Sequence, residues 1–275
     1  MVKIFSILLL LSTLAFAGEL KEDSLLAQKI KTFIKSSVYE QNKAFIGIIF
    51  SPEENYYVND RVDVVKVLET LKENGLLNLF FKQPQELQLT FKTDGAPLFF
   101  VKIMGDSLRD IGYYRYVTTD SNLKESQFSW TISLTSEYAT DPMILQKELK
   151  KRGCKIVDIQ RKTSTNWEYS IDIADGNLDL EELQSDSVLK LKRSLYSHWL
   201  NVSNIRELEI KSSARNNWYP YIAYYDSQLQ LIDVLKKDDK TDEITLRIPS
   251  SAKYIKISDL YTLKNIKDDL VLSPK

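Results

Sequence analysis

The feature that most constrains this chain is a change of pattern across residues 174–187, an acidic and polar stretch containing Asp175, Asp179, Glu181, Glu182 and Asp186. Before it, segments with apolar residues at helical spacing alternate with segments of period two; after it come only short β-rich runs at regular intervals. A single core seldom organises a chain of 275 residues, so the switch predicts a domain boundary.

Upstream, Asp23 is placed to cap a helix on which Leu25, Leu26, Ile30, Phe33 and Ile34 share a face, ending near Ser36 and Ser37. Residues 44–50 read as a strand. A second helix is expected to begin at Asp60, carry Val64, Val67, Leu68 and Leu71, and stop at Gly75. Strands follow at 76–81 and 86–92 around Pro84, then at 98–104 and 113–118, with a short helix at 107–111 between them. From Phe128 the outline repeats: strand 128–135, a helix from Pro142 to Arg152 after the cap-then-proline pair Asp141-Pro142, then strands 155–161 and 167–173. Two β-α-β-β units are therefore expected, as a structural duplication. The assignment is an α+β multidomain chain: one small domain at 18–123, a second at 124–185, and an antiparallel β-sandwich at 186–275 built from runs at 205–210, 219–225, 228–235, 243–248, 253–258 and 260–263.

The lone cysteine, Cys154, excludes an internal disulfide, so stability must come from packing, for which 43% apolar residues suffice. Its place after Gly153, at a helix exit, reads as a small buried thiol. Met1-Val2-Lys3, the apolar run 4–14 and Ala15-Phe16-Ala17 form the n-region, h-region and cleavage site of a signal peptide, residues 1–17. That apolar run is too short to span a bilayer, and no membrane span is expected later, so the chain is expected to be exported to the periplasm or secreted. With 37 basic against 38 acidic residues, the charge balance points to no nucleic-acid partner.

Residues 43–92 and 128–173 have an order of elements similar to polypeptide-transport-associated domains, the small periplasmic modules that precede outer-membrane barrels. In the C-terminal part, Trp218-Tyr219-Pro220-Tyr221-Ile222-Ala223-Tyr224-Tyr225-Asp226, then Ile248-Pro249 and Ala252-Lys253-Tyr254-Ile255-Lys256-Ile257, resemble galactose-binding-like (discoidin-like) β-sandwich modules. The resemblance implies a sandwich fold and, through its loops, glycan binding. The stretch from Ser187 to Lys275 is shorter than a full module, a departure that bears on both the closure of the sandwich and the usual calcium-supported loop.

A glycan site needs aromatic faces for sugar C–H groups and amides or charges for hydroxyls. Trp218, Tyr219, Trp199, Arg215, Asn216 and Asn217 supply those types and form the candidate ligand-binding set; alternation within 219–225 buries about half of such rings in any case. His198 is the sole histidine, which rules out a histidine-based triad or multi-histidine metal site. Asp172, Asp175, Asn177, Asp179 and Glu181 do not match a calcium-loop spacing. No catalytic motif is present, and no cofactor or metal is expected. A noncatalytic envelope binding or adaptor protein leads, with glycan or an envelope protein as partner. A periplasmic assembly factor using strand edges, and a hydrolase with an unrecognised carboxylate pair, remain as alternatives.

Overall fold

The computed structural model describes residue 21 and residues 23–275, so the expected signal peptide lies outside the described residues. Helices and sheets are mixed, as an α+β chain requires. Contacts divide the described residues into two units, one formed by residues up to Gly95 with Ile103–Asn177, the other by Ala96–Lys102 with Leu178–Lys275. The division at 177/178 falls inside the acidic stretch.

In the first unit, α1 (Leu25–Phe33) is capped by Ser24, one residue after the expected Asp23: the Ser24 hydroxyl accepts from Ala27 N at 3.1 Å. It buries Leu26, Ala27, Ile30 and Phe33. Helix α2 (Ser36–Gln41) precedes α3 (Lys43–Ile49), which corrects the strand expected at 44–50. The β-branched run misleads there, because the buried residues Ile46 and Phe50 sit four apart, one helical turn. Strands β1 (Tyr57–Val58) and β2 (Arg61–Val62) pair across Asn59-Asp60, both at positive φ (48° and 61°), so the helix expected from Asp60 starts later. It is α4 (Val64–Glu73), with the Asp63 carboxylate accepting from Lys66 N at 3.1 Å and Gly75 at φ 72° behind its end.

Strand β3 (Phe80–Thr93) replaces the two expected strands; Pro84 falls where its pairing breaks, between Phe80 and Gln85. Helix α5 (Pro97–Asp110) overturns the strand expected at 98–104. Its buried pairs Phe99/Phe100, Ile103/Met104 and Ser107/Leu108 form a stripe of helical period. Then come β4 (Val117–Lys124), β5 (Gln127–Tyr138), α6 (Pro142–Lys151), β6 (Lys155–Arg161) and β7 (Asn166–Asp172). Asp141 caps α6 through Met143 N, and Gly153, at φ 68°, ends it.

These strands form one five-stranded sheet, in the order β4-β5-β3-β7-β6. The expectation of two separate β-α-β-β domains at 18–123 and 124–185 is thereby corrected. The expected boundary falls in the β4–β5 hairpin, and β3 has both neighbours, β5 antiparallel and β7 parallel, from the supposed second copy. Taken alone, the first half would leave β3 and β4 without a partner, and the second would keep only the β6–β7 pair and leave β5 unpaired. One face buries Leu87, Leu89, Phe91, Trp130, Ile132, Trp167 and Tyr169, with the Phe91 ring 6.0 Å from Trp130 and 5.6 Å from Tyr169. The opposite face is polar: Thr90 meets Thr131 at 3.0 Å, and Glu168 accepts from Lys92 at 2.5 Å and Lys162 at 2.8 Å. Helices α1, α4 and α6 pack along β6, and α4 packs on α6.

The second unit contains β8 (Leu189–Leu191), β9 (His198–Asn201), β10 (Glu207–Ser212), β11 (Pro220–Tyr225), β12 (Leu231–Lys236), β13 (Glu243–Arg247), β14 (Tyr254–Asp259) and β15 (Leu270–Pro274). They form two four-stranded antiparallel sheets, β13-β10-β15-β8 and β12-β11-β14-β9. Their inward residues make one core: Leu208, Ile210, Leu246 and Leu272 from the first sheet, Leu200, Ile222, Tyr224, Ile255 and Ile257 from the second. Two β-rich sheets around a shared core fit a β-sandwich. The strand expected at 260–263 is absent; a single 3₁₀ turn, Leu263–Asn265, stands near it, and the last strand is β15.

Candidate functional site

Trp218 is fully buried, within the core shared by the two sheets, and its indole N–H donates to the Ser258 carbonyl at 2.9 Å. It therefore offers no face to a ligand, which removes it from the expected platform. The reason is periodicity carried one step too far: Trp218 precedes β11 and points the same way as Ile222 and Tyr224, into the core.

Asn216 is also fully buried. Its Oδ1 accepts from Lys267 N at 2.8 Å and Asp268 N at 2.7 Å, while Nδ2 donates to the carbonyls of Asp268 and Asp269 and to the Ser212 hydroxyl. The side chain is used up in stapling one loop to another, as a buried amide must be.

Asp259 does the same at the end of β14. Its Oδ1 accepts from Tyr261 N, Thr262 N and Asn265 Nδ2 at 2.8–3.0 Å, and Oδ2 accepts from Tyr219 N at 2.9 Å. Four donors on one carboxylate fix the positions of two tyrosines. The Tyr219 and Tyr261 rings meet edge to face, with centroids 5.1 Å apart and planes at 83°, and Tyr261 is 64% exposed. Asn217 N donates to the Asn265 carbonyl, which ties its exposed side chain to the same loop pair. The Arg215 side chain is 82% exposed and 3.9 Å from Asp268 Oδ2. The Asp268 carboxyl is held below its ordinary range first by the Asp269 N–H, then by the Ser213 hydroxyl, with Arg215 adding to both. Tyr219, Arg215 and Asn217 thus lie on neighbouring loops with Tyr261, on a network of backbone donors. Such a surface can stack a sugar face and bond its hydroxyls.

Trp199 is not part of that surface. It stands on the outer face of β9, paired with Lys256, and its ring lies 5.0 Å from that of Tyr225. Lys256 and Lys102, both in the second unit, each approach the indole to 5.7 Å, so the ring is already engaged by cations. His198, half-buried on β9, has its pKa lowered by burial. Cys154 is buried and its thiol is pushed up to about 11, first by burial, then by Asp172; a protonated thiol is a poor nucleophile. Among the described residues no group of three His, Cys, Asp or Glu side chains is placed to hold a metal ion, and no helix is long and apolar enough to cross a membrane.

Sequence reasoning missed Tyr261 and Asp259. Asp259-Leu260-Tyr261-Thr262 carried a signal, since an aspartate whose carboxylate reaches N–H groups two and three residues on is a turn former. Compared with family models, curated proteins and solved structures, the chain matches none of them.

Proposed function

We propose that this chain is a noncatalytic exported protein of the cell envelope, periplasmic or secreted, that binds glycan through a galactose-binding-like β-sandwich. The observation that carries the reading is the Tyr219–Tyr261 pair, with Tyr261 exposed and Tyr219 half-buried, held in place by Asp259 and flanked by Arg215 and Asn217. Pre-set loops lose little freedom on binding, and an exposed aromatic face supplies C–H stacking without a deep pocket. Arg215 biases the surface toward sugars that carry a carboxylate.

The test is calorimetric titration of the chain lacking residues 1–17 with neutral and acidic oligosaccharides and peptidoglycan fragments. Tyr261→Ala, at an exposed position, should leave the fold intact and weaken binding about fivefold to tenfold, the worth of one aromatic contact. A folded chain that binds no glycan, or binds equally well without Tyr261, sinks the proposal.

A second reading is favoured by β4, an edge strand with no buried residue and seven exposed residues out of eight. An open edge of that length can accept an added strand, as an assembly factor for extended client chains would. Adding a soluble peptide of alternating apolar and polar residues should then slow hydrogen exchange at β4 amides that β5 does not bond. Unchanged exchange there would leave only the glycan reading.

A further inference from the structure

The β12-β11-β14-β9 sheet turns Ile222, Tyr224, Ile255 and Ile257 into the core, and its opposite face carries an array of rings and cations. Pairing places Lys236, Tyr221 and Ser258 in one row and Val234, Ala223, Lys256 and Trp199 in the next, with Tyr225 beyond them beside Tyr254. These rows contain no acidic side chain. The Lys256 ammonium lies 5.7 Å from the centre of the Trp199 ring and 5.9 Å from that of Tyr221, and Lys236 approaches Tyr221 to 5.5 Å. Tyr225 extends the series, with its ring 5.0 Å from Trp199. Attraction between each ammonium and its ring holds the array in order.

Five polar tips here donate to nothing in the chain. Lys236 and Lys256 form no ion pair or hydrogen bond among the described residues, and the Tyr221 and Tyr225 hydroxyls and the Trp199 indole N–H bond to none of them. The buried polar atoms that lack a partner are Ser107 Oγ and Gln146 Nε2, so these five groups all reach solvent. Lys236 is exposed and the other four residues are half-buried. The Tyr225 hydroxyl is pushed up first by burial, then by Tyr221, which puts the two phenols within electrostatic reach of each other. Donors without a carboxylate among them suit a ligand that is rich in acceptors and negatively charged. With Lys236 and Lys256 at Tyr221, and Lys102 and Lys256 at Trp199, the rings leave little face on which a nucleobase could stack.

We propose that this sheet face is a second glycan surface, for sugar chains that carry carboxylates: the carboxylates lie on Lys236 and Lys256, and sugar oxygens accept from the Tyr221 and Tyr225 hydroxyls and the Trp199 N–H. The proposal rests on the glycan reading for its class of ligand but not for its place, since none of these residues belongs to the Tyr219–Tyr261 loops. The two surfaces work differently. At Tyr261 an exposed ring meets a sugar face, whereas on the sheet the rings are spent on holding ammoniums, and charge-assisted hydrogen bonds carry the binding.

The test is nuclear magnetic resonance of the isotope-labelled chain lacking residues 1–17, titrated with trigalacturonic acid. A saturable shift of the Trp199 indole N–H is expected, and the methyl ester of the same trimer, which has no charge, should lose that shift. Lys236→Gln, at an exposed position, and Lys256→Gln should each weaken binding about fivefold to tenfold, while Lys256→Arg should retain it. The proposal is overturned if the Trp199 N–H does not respond, if the ester shifts it equally, if neither glutamine variant weakens binding, or if triglutamate or trithymidylate shifts it as strongly as the acidic sugar. Tyr261→Ala should leave this titration unchanged. A shift that is lost in Tyr261→Ala and kept in both glutamine variants would place the acidic sugar on the loops, which sinks the sheet surface and leaves the glycan reading standing.

Discussion

Replacing Trp218 separates a structural role from a ligand-binding one. The ring is fully buried and makes one hydrogen bond, to the Ser258 carbonyl at 2.9 Å. Trp218→Phe forfeits that bond, about 1 kcal/mol, and shrinks the ring, about 1–2 kcal/mol more, for a total near 2–3 kcal/mol. Trp218→Ala leaves a cavity in the core shared by both sheets as well, and should cost about 4–6 kcal/mol. Urea unfolding followed by far-ultraviolet circular dichroism reads both, since it does not depend on the indole being removed. With a denaturant slope of about 2 kcal/mol per molar, the Phe variant should lower the midpoint by roughly 1 M. Once corrected for the folded fraction, its affinity for a glycan that binds the parent should be unchanged. A loss under about 1 kcal/mol in the Ala variant, or lost affinity in a fully folded Phe variant, would refute the assignment of Trp218 to the core.

Two glycines with similar φ should respond differently. At Gly75 a Cβ would meet nothing within 4 Å, so Gly75→Ala should cost only the left-handed backbone, about 1–2 kcal/mol, whereas at Gly153 a Cβ would sit 2.1 Å from the Asp175 carbonyl oxygen and Gly153→Ala should cost at least about 3 kcal/mol, as paired thermal melts would show. Burial alone would raise the Glu168 carboxyl, but Lys162 and Lys92 outweigh it and hold it below its ordinary value. A depressed folded-state value means stability that is full at neutral pH and lost as pH falls below about 4.5; Glu168→Gln should be less stable at pH 7 and flatter across that acid window in urea titrations. His198, lowered by burial, favours the neutral ring in the fold, so its share of stability is complete above about pH 6.5 and declines on acidification; a proton-resonance titration should place its pKa below that of a free histidine. The Cys154 thiol, pushed up to about 11, should resist iodoacetamide at pH 8 in the native chain and react readily in urea.

Caps and punctuation made some of the elements readable. Asp141-Pro142 announced α6, Gly75 and Gly153 marked helix ends by adopting φ values that other residues avoid, and strand β6 lies where its alternation put it. The two reversals at 44–50 and 98–104 share a cause: short runs rich in Phe, Ile and Val satisfy strand propensity while their buried members, Ile46/Phe50 and Phe99/Ile103, follow the helical period. The joining of two expected domains was not legible, because pairing between β3 and β7 is a long-range choice that local pattern does not encode. At the candidate site, residue type pointed to Arg215, Asn217 and Tyr219, yet could not distinguish them from Asn216 and Trp218 in the same stretch. Burial decides between a side chain that binds a ligand and one that binds its own loop, and burial here is set by β14 and the loop after it, some forty residues on, as the Trp218 bond to Ser258 shows with a separation of 40.

The parallel pairing of β3 with β7 also bears on how the chain reaches its folded state. Gln88 and Asn166 lie side by side though 78 positions separate them in sequence. As the chain is synthesised, β3 waits with one side unsatisfied until β7 follows. The first unit therefore cannot mature piecemeal, and a cut in the β4–β5 turn would yield two fragments each missing a neighbour for its longest strands rather than two self-sufficient parts.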